Sequence, residues 1–378
     1  MLTPQQIDAL RIVAGQLLDP VIEFLIEDIA RRVSEATQLT STASYQIWRA
    51  QSLGLSQAEI RRRIAALLMI SQQDVAELFR QAAQVGYDFD VARFPTAEAV
   101  DFKDNPLLQE IVRNATVTAQ NGLSNIVQTI GMVSPTTGKP LPLQQAYYTA
   151  CDSAYLQVST GAADPITAVQ RACATLESRG LVSIDYASGR HMSAEAAVRL
   201  SVMSTLGDAQ QRQNNLAHDM FGCDGWEISA HMASAPDHEP IQGKQYTDAE
   251  FQALNGSLRR AIGTLNCGHV AMPIKYGITP PQYSDAELER YRADNELGIA
   301  IGGKHYSTYQ ATQAQRAMER DMRQTKRELM VANGAGDPAA IQAAKTRLQL
   351  QLQAYNEFSN KAGLVPQFER TEIPGFRL

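Results

Sequence analysis

The sequence predicts an α+β fold that is mainly helical, with an N-terminal helical domain, a small mixed α/β core and a C-terminal helical hairpin. In the first third, apolar residues recur at steps of three and four from Leu10 to Ile29, which gives one apolar helix face. Alternating, strand-like segments are concentrated in the middle third. The last third has two long polar stretches on either side of Asn333-Gly-Ala-Gly336, a pattern typical of an antiparallel helical hairpin.

The composition is that of an ordinary globular protein, with 378 residues, 20% charged and 44% hydrophobic. The net charge of -6 disfavours DNA binding over the whole surface, because such binding needs many Lys/Arg–phosphate contacts. A local basic face is compatible with that charge, and Arg61-Arg62-Arg63 is either a solvated helix face or a DNA contact. With no signal peptide, no long apolar run and four cysteines, we expect synthesis in a reducing cytoplasm and no membrane partner.

Helix-start signals define the N-terminal region. Thr3 followed by Pro4 is an N-cap with proline at the first helical position, and Pro20 is expected to kink or split the helix that follows. The spacings Ser56-Gln-Ala-Glu59 and Ser71-Gln-Gln-Asp74 resemble capping boxes, so they predict two separate short helices.

A run rich in proline, threonine and glycine, from Ser134 to Pro142, is the predicted domain boundary, and it follows a predicted helix over Pro106–Ile130. We therefore expect three parts. Residues 1–133 form a helical docking domain, residues 143–283 form the mixed core, and residues 284–378 form the helical hairpin and tail.

The mixed core is predicted to alternate helices with short strands. One helix is expected over Leu143–Gln157, and three more begin after the N-cap residues Asp164, Ser193 and Thr247. Three segments alternate like strands: Val182–Tyr186, Trp226–Ala230 and Gly268–Ile274.

The C-terminal region begins with a helix capped by Ser284. A small hairpin is expected over Ile299–Tyr306, because Gly302-Gly303 suits a tight turn. Two long helices follow, and the second restarts at Asp337-Pro338.

Two segments of the mixed core hold three of the six histidines and one of the four cysteines. Strand alternation directs Cys267 and His269 to one side, so with His231 and His238 they are able to converge as a tetrahedral nitrogen/sulfur set, which suits zinc. The alternative is that the same four side chains are hydrogen-bonded structural groups that hold two strands and a loop together.

A catalytic interpretation of these segments would use Cys267 as the nucleophile, His269 or His231 as the base and Asp237 as the orienting group. It is disfavoured because the sequence identifies no oxyanion hole. Gln242-Gly243-Lys244 lacks the glycine-rich lead and the Ser/Thr of a phosphate loop, and it is predicted to be a turn.

An ordered set of motifs runs through the middle of the chain: Ser188-Gly189-Arg190, then His231, His238 and Gln242-Gly243-Lys244, then Asn266-Cys267-Gly268-His269. This set resembles the phage minor capsid protein 2 family, relatives of the Mu-F-like minor head proteins. The resemblance extends over nearly the whole chain. The sequence departs from the family pattern at Ala235, where arginine usually precedes the proline, and at Gly268, where arginine usually stands between the cysteine and the histidine.

The resemblance implies a structural minor head protein of a tailed phage or prophage, present in few copies and not an enzyme. Its expected place is the virion, in the head interior or at the portal vertex, after assembly in the host cytoplasm. The implied partners are the portal protein and/or the major capsid protein, and packaged DNA. The motif residues are then architectural: Arg190, Gln242, Gly243, Lys244 and Asn266, together with His231, His238, Cys267 and His269.

No cofactor is expected, apart from zinc at the four His/Cys positions. The alternative function is a metal-dependent enzyme or toxin-like domain that uses the same residues. Mu-F-like proteins can carry C-terminal toxin domains, whereas this chain ends at Leu378 directly after a family-like tail, which favours the structural role.

Overall fold

A computed structural model describes residues 4–55, 57–94, 100–134, 137, 139–179, 181–183, 192–264, 267–373 and 376. Within these residues the fold is mostly helical and contains three small antiparallel sheets, which confirms the predicted α+β class.

The N-terminal region is built from helices alone: α1 (Pro4–Gln16), α2 (Asp19–Thr37), α3 (Thr42–Arg49), α4 (Gln57–Arg93) and α5 (Pro106–Gln128). The apolar stripe is split between α1 and α2, as Pro20 predicted, because proline occupies the first turn of α2 and has no N–H to continue α1. A π-helical segment, Ala50–Leu55, leads from α3 towards α4.

The predicted helix start at Ser71 is wrong, because α4 continues without a break to Arg93. Ser71 lies inside that helix, and its hydroxyl donates a hydrogen bond to the Leu17 carbonyl rather than capping a new helix. Ser71 therefore makes a tertiary contact between α4 and the residue that follows α1, and its spacing from Asp74 does not mark a helix start. The other proposed cap, Ser56, lies outside the described residues.

A four-stranded sheet follows α5, in the order β2-β1-β3-β4. Its strands are β1 (Ile130–Val133), β2 (Pro140–Pro142), β3 (Leu181–Ser183) and β4 (Met192–Ser193). The segment interpreted as a boundary thus joins two paired strands, with Gly131 opposite Pro142. Residues 184–191, which include the end of the predicted strand and Ser188-Gly189-Arg190, lie outside the described residues.

Helices α6 (Leu143–Ser159), α7 (Pro165–Arg179) and α8 (Ala194–Met220) pack with the N-terminal helices around one large apolar core. Helix α2 is the centre of that core, with Val21, Leu25 and Ile29 fully buried. The core also contains side chains from α8 and from the C-terminal helix α11. Independent folding of residues 1–133, 143–283 and 284–378 stays a prediction.

The second sheet has the order β6-β5-β7, from β5 (Gly225–Ile228), β6 (Gln245–Thr247) and β7 (Ala271–Ile274), and helix α9 (Asp248–Ser257) follows β6. The capping box at Thr247 is confirmed. This sheet has its own small core, formed by Trp226, Ile228, Phe251, Ile262, Cys267 and Ala271. Strand β6 was not predicted, because its three residues directly follow a turn and show little alternation.

The C-terminal region matches its prediction: α10 (Asp285–Leu297), a hairpin of β8 (Ile299–Ile301) and β9 (Lys304–Tyr306), then α11 (Thr308–Ala335) and α12 (Pro338–Lys361). Gly302 and Gly303 form the tight turn with φ of 60° and 78°. In the described part of the chain, every helix is too short or too polar to cross a bilayer.

Candidate functional site

The candidate site lies next to the second sheet, after the end of β5 and before the start of β7, where the chain has no regular secondary structure. Beyond β5 and β7, the backbone N–H of Ser229 donates to the Val270 carbonyl at 2.8 Å, and the Val270 N–H donates to Ser229 Oγ at 2.9 Å. These contacts keep the segments that carry His231 and His269 side by side. A turn at Ala235, whose carbonyl accepts the N–H of His238 at 2.9 Å, brings the third histidine back over them.

Three of the four predicted His/Cys residues converge. Cys267 Sγ lies 3.3 Å from His238 Nδ1 and 3.6 Å from His269 Nδ1, and the two Nδ1 atoms are 3.4 Å apart. The three residues are buried, with exposed fractions of 0% for His238, 3% for His269 and 9% for Cys267. We refer to His238, Cys267 and His269 as the His/Cys cluster.

Hydrogen bonds on the outer side fix both rings of the His/Cys cluster. His238 Nε2 lies 2.8 Å from the Arg260 carbonyl oxygen. His269 Nε2 lies 3.1 Å from Gln242 Oε1 and 3.3 Å from Ser234 Oγ. Because a carbonyl and an amide oxygen accept hydrogen bonds, these contacts place a proton on each Nε2 and leave each Nδ1 directed at Cys267.

His231, the fourth predicted ligand, lies beside the His/Cys cluster and not in it. Its ring packs against the His269 ring with centroids 4.4 Å apart, and its Nδ1 lies 2.8 Å from the Met232 carbonyl oxygen. Strand alternation did not apply, because β5 ends at Ile228 and the chain turns at Ala233, which has φ of 57°. The ring faces Gly268, where an added Cβ would lie 2.9 Å from His231 Nε2.

Electrostatic interactions in the His/Cys cluster favour a negatively charged Cys267 thiolate beside a positively charged His238. Burial raises the pKa of the Cys267 thiol, but hydrogen bonds from His238 and from the His269 N–H outweigh it and lower the pKa overall. Burial lowers the pKa of His238, and the contact with Cys267 reverses that shift and raises it. Burial, with His231 and His238 nearby, lowers the pKa of His269 to about 2, so this ring is neutral at pH 7.

The Gln242-Gly243-Lys244 motif supports the site through separate roles. Gln242 is 4% exposed, and its Oε1 accepts from both His269 and the backbone N–H of His231, the latter at 3.1 Å. Gly243 has φ of 71°, which strains the backbone of any other residue, and an added Cβ would also displace the Leu288 side chain. Lys244 is exposed, and its carbonyl accepts the Ile228 N–H at 3.1 Å. Arg190 and Asn266 lie outside the described residues.

A cavity of about 900 Å³ adjoins the His/Cys cluster and is lined by His231, His269 and many arginines. The arginines are Arg11, Arg199, Arg260, Arg316, Arg320, Arg323 and Arg370. Asp8 pairs with Arg316 at 3.2 Å and with Arg370, and Arg260 pairs with Asp237 at 2.9 Å. Sequence reasoning missed this cavity, because its residues come from distant helices and form no local motif.

Taken together, the fold and the site define a mainly helical α+β protein in which a small sheet supports a buried His/Cys cluster in irregular chain. The model of one known family, phage minor capsid protein 2, matches residues 2–360, nearly the whole chain. The chain therefore belongs to the phage minor capsid protein 2 family. It is a structural protein of phage particles, located in the virion, where it interacts with other head proteins. Neither a curated protein nor a solved structure matches the chain.

Proposed function

We propose that this protein is a low-copy minor head protein of a tailed phage or prophage, located in the head interior or at the portal vertex. In this role it contacts the portal protein and/or the major capsid protein during head assembly and assists DNA delivery. The observation that carries the proposal is the match of the minor capsid family to residues 2–360, nearly the whole chain.

The N-terminal helices supply the contact surface in this proposal. The apolar face of α2 is already used by the core, so it is not available for docking. On α4, by contrast, Met69 and Ile70 are 62% and 56% exposed, and they follow the exposed Arg61-Arg62-Arg63. An exposed apolar pair on a helix with a basic end suits a protein partner with apolar and acidic groups.

We also propose that the role is structural and not enzymatic. The polar groups around the His/Cys cluster are engaged in holding the fold: His238 on the Arg260 carbonyl, and His269 on Gln242. A catalytic base needs a free proton acceptor that reaches a substrate. His238 is fully buried, and His269, which borders the cavity, has its Nε2 on Gln242 and its Nδ1 directed at Cys267. This arrangement supports an architectural site over a metal-dependent enzyme or toxin-like domain.

Locating the protein in an electron density map of assembled particles tests the proposed position directly. Density for the helical core in the head interior or at the portal vertex is expected, and density on the outer capsid surface would contradict the proposal. The contact surface is tested with Met69→Lys/Ile70→Lys in particles assembled with the variant. Incorporation should fall at least several-fold.

The matched control is Leu350→Lys/Leu352→Lys on α12, where the two leucines are 63% and 42% exposed. This variant carries the same added charge on another exposed apolar pair, so its incorporation should stay normal. Equal incorporation of both variants would show that α4 is not the docking surface.

A further inference from the structure

We propose that His238, Cys267 and His269 bind one zinc ion through His238 Nδ1, His269 Nδ1 and Cys267 Sγ. Their ligand atoms all lie within 4.8 Å of one another, and no fourth His, Cys, Asp or Glu joins them within the described residues. These three side chains fill three positions of a tetrahedral site. The proposal rests on the geometry of the His/Cys cluster and is independent of the proposed position in the head.

The first argument is a count of protons. Each histidine carries its proton on Nε2, because His238 Nε2 faces the Arg260 carbonyl and His269 Nε2 faces Gln242 Oε1. Both Nδ1 atoms therefore present lone pairs to each other at 3.4 Å. The thiol of Cys267 has one proton, which forms a hydrogen bond in only one of the three contacts among Sγ and the two Nδ1 atoms. In each of the other two contacts, one lone pair faces another.

Adding protons does not remove this conflict. Protonating His238 alone supplies one N–H for both a Cys267 thiolate at 3.3 Å and His269 Nδ1 at 3.4 Å, and the thiolate still faces the His269 Nδ1 lone pair at 3.6 Å. Protonating both rings would place two cations 3.4 Å apart in a buried site. A bound cation satisfies all three atoms at once, because each offers a lone pair or a negative charge towards the same point.

The distances agree with tetrahedral zinc. Zn–N bonds of about 2.0–2.1 Å and a Zn–S bond of about 2.3 Å, at tetrahedral angles, separate two nitrogens by about 3.3–3.4 Å and nitrogen from sulfur by about 3.5–3.6 Å. The observed separations are 3.4 Å between the nitrogens and 3.3 and 3.6 Å from sulfur to nitrogen. A mixed nitrogen/sulfur set of this geometry selects zinc over magnesium or calcium, which take oxygen ligands.

The surroundings of the His/Cys cluster are those of a metal site. Metal-bound histidines usually donate their other ring N–H to a carbonyl or carboxylate, which fixes the ring and raises its basicity. Both rings do this here, to the Arg260 carbonyl and to Gln242. The backbone N–H of His269 also points at Cys267 Sγ at 3.4 Å, which stabilises a thiolate.

A metal would also explain how this part of the chain holds its shape. Residues 229–244, 258–264 and 267–270 lie outside regular helices and strands, and the apolar core of the second sheet has six buried residues. Small cores of this kind are commonly reinforced by a structural metal. Zinc at the His/Cys cluster would link the loop after β5 to the segment before β7.

Elemental analysis of the full-length protein, purified without chelator or polyhistidine tag, is the primary test. We expect close to one zinc per chain. Replacement by Co²⁺ should give a thiolate-to-cobalt charge-transfer band and the intense visible bands of tetrahedral cobalt. Less than about a tenth of an equivalent of any transition metal, with no such bands after reconstitution with Co²⁺, would overturn the proposal.

Substitutions of single residues test which side chains bind the zinc ion. Cys267→Ser and His269→Ala should lose at least ten-fold in zinc affinity, measured by competition with a chromogenic chelator. The controls are Cys223→Ser, a half-buried thiol elsewhere, and His231→Ala, the neighbouring ring, and both should keep the metal. Unchanged zinc in Cys267→Ser would overturn the assignment. If a ligand variant does not fold, the Co²⁺ spectrum of the unmodified protein decides alone.

Discussion

Asp19 and Arg323 lie 304 residues apart in the sequence, and Arg323 Nη2 lies 2.8 Å from both carboxylate oxygens of Asp19. Asp19 is 1% exposed and Arg323 is 3% exposed. Arg327 joins them by contacting Glu195 on α8 at 2.9 Å. This buried network connects α2, α8 and α11. Ion pairs as well as the apolar core therefore hold the first and last thirds of the chain together.

Removing one member of this network should be costly. Arg323→Met leaves the Asp19 carboxylate short of a partner in a buried site, so we expect the free energy of unfolding to fall by about 3–5 kcal/mol. The control is Arg347→Met, whose ion pair with Glu328 is at the surface and whose side chain is 56% exposed. That change should cost less than about 1 kcal/mol in the same urea titration. A similar loss for both variants would contradict the role of the buried network.

The buried carboxyl of Asp90, on α4, should make the stability of the fold depend on pH. It is 2% exposed, and burial raises the pKa of its carboxyl from 3.8 to about 6. At pH values well below 3.8 the carboxyl is protonated in the native and unfolded chains and contributes nothing. Above about pH 6 the native carboxylate is ionised while buried, so Asp90 destabilises the fold in that range.

Asp90→Asn should therefore raise the free energy of unfolding by about 1–3 kcal/mol at pH 7 and have little effect below about pH 4. Denaturant titrations at several pH values measure the difference. Asp88→Asn, at an exposed position two residues away, is the matched control and should show no such trend. A constant difference between Asp90→Asn and the unmodified protein from pH 4 to 8 would refute the burial argument.

Gly207 allows the segment that carries Cys267 to pack closely against helix α8. A Cβ at Gly207 would overlap the carbonyl oxygen of Gly263, and that oxygen belongs to the backbone and cannot rotate away. Gly207→Ala should therefore lower the free energy of unfolding by about 1–3 kcal/mol and weaken zinc binding, because the chain from Gly263 to Cys267 must shift. Chemical denaturation and zinc titration measure the two effects.

The comparison for Gly207 is Gly256→Ala, at a helical glycine with open space around it. Alanine has the higher helix propensity, so this change should be neutral or stabilising by up to about 1 kcal/mol, with zinc binding unchanged. If Gly207→Ala behaved in the same way, the close approach of α8 would have no structural importance.

Local signals explain what the sequence predicted well. The capping boxes at Thr247 and Ser284 are formed by residues three positions apart, so they are visible in the sequence and are present in the structure. Ser71 has the same local appearance, but its hydroxyl donates to the carbonyl of Leu17, in the turn between α1 and α2. Such a contact depends on tertiary packing, which no short window of sequence contains.

The same distinction applies to the candidate site. The residue types at positions 238, 267 and 269 indicated nitrogen/sulfur chemistry, while the place of His231 depended on a turn at Ala233 with φ of 57°. The partners that orient the rings were not visible in the sequence either, because Arg260 contributes its backbone carbonyl and Ser234 is a single serine in a loop.

The last prediction separates an architectural His/Cys cluster from a catalytic one. His269→Ala removes the partner of Gln242 and one proposed zinc ligand, so its effect should appear as lost stability of about 1–3 kcal/mol or more. Variant protein that still folds should be incorporated into heads, and particles that contain it should infect normally. His231→Ala, which removes a ring that packs against the cluster, should show a smaller loss of stability and the same infectivity.

Melting temperature, incorporation per particle and infectivity per particle distinguish the two roles. A structural site lowers the melting temperature and the incorporation per particle together, because both defects follow from unfolding, and it leaves the infectivity of particles that contain the variant normal. A catalytic site would leave folding and incorporation normal while infectivity collapses. We expect the first pattern, because His238 and His269 are buried and each ring is held by a hydrogen bond on its outer side. A folded, incorporated and non-infectious His269→Ala particle would require the structural assignment to be abandoned.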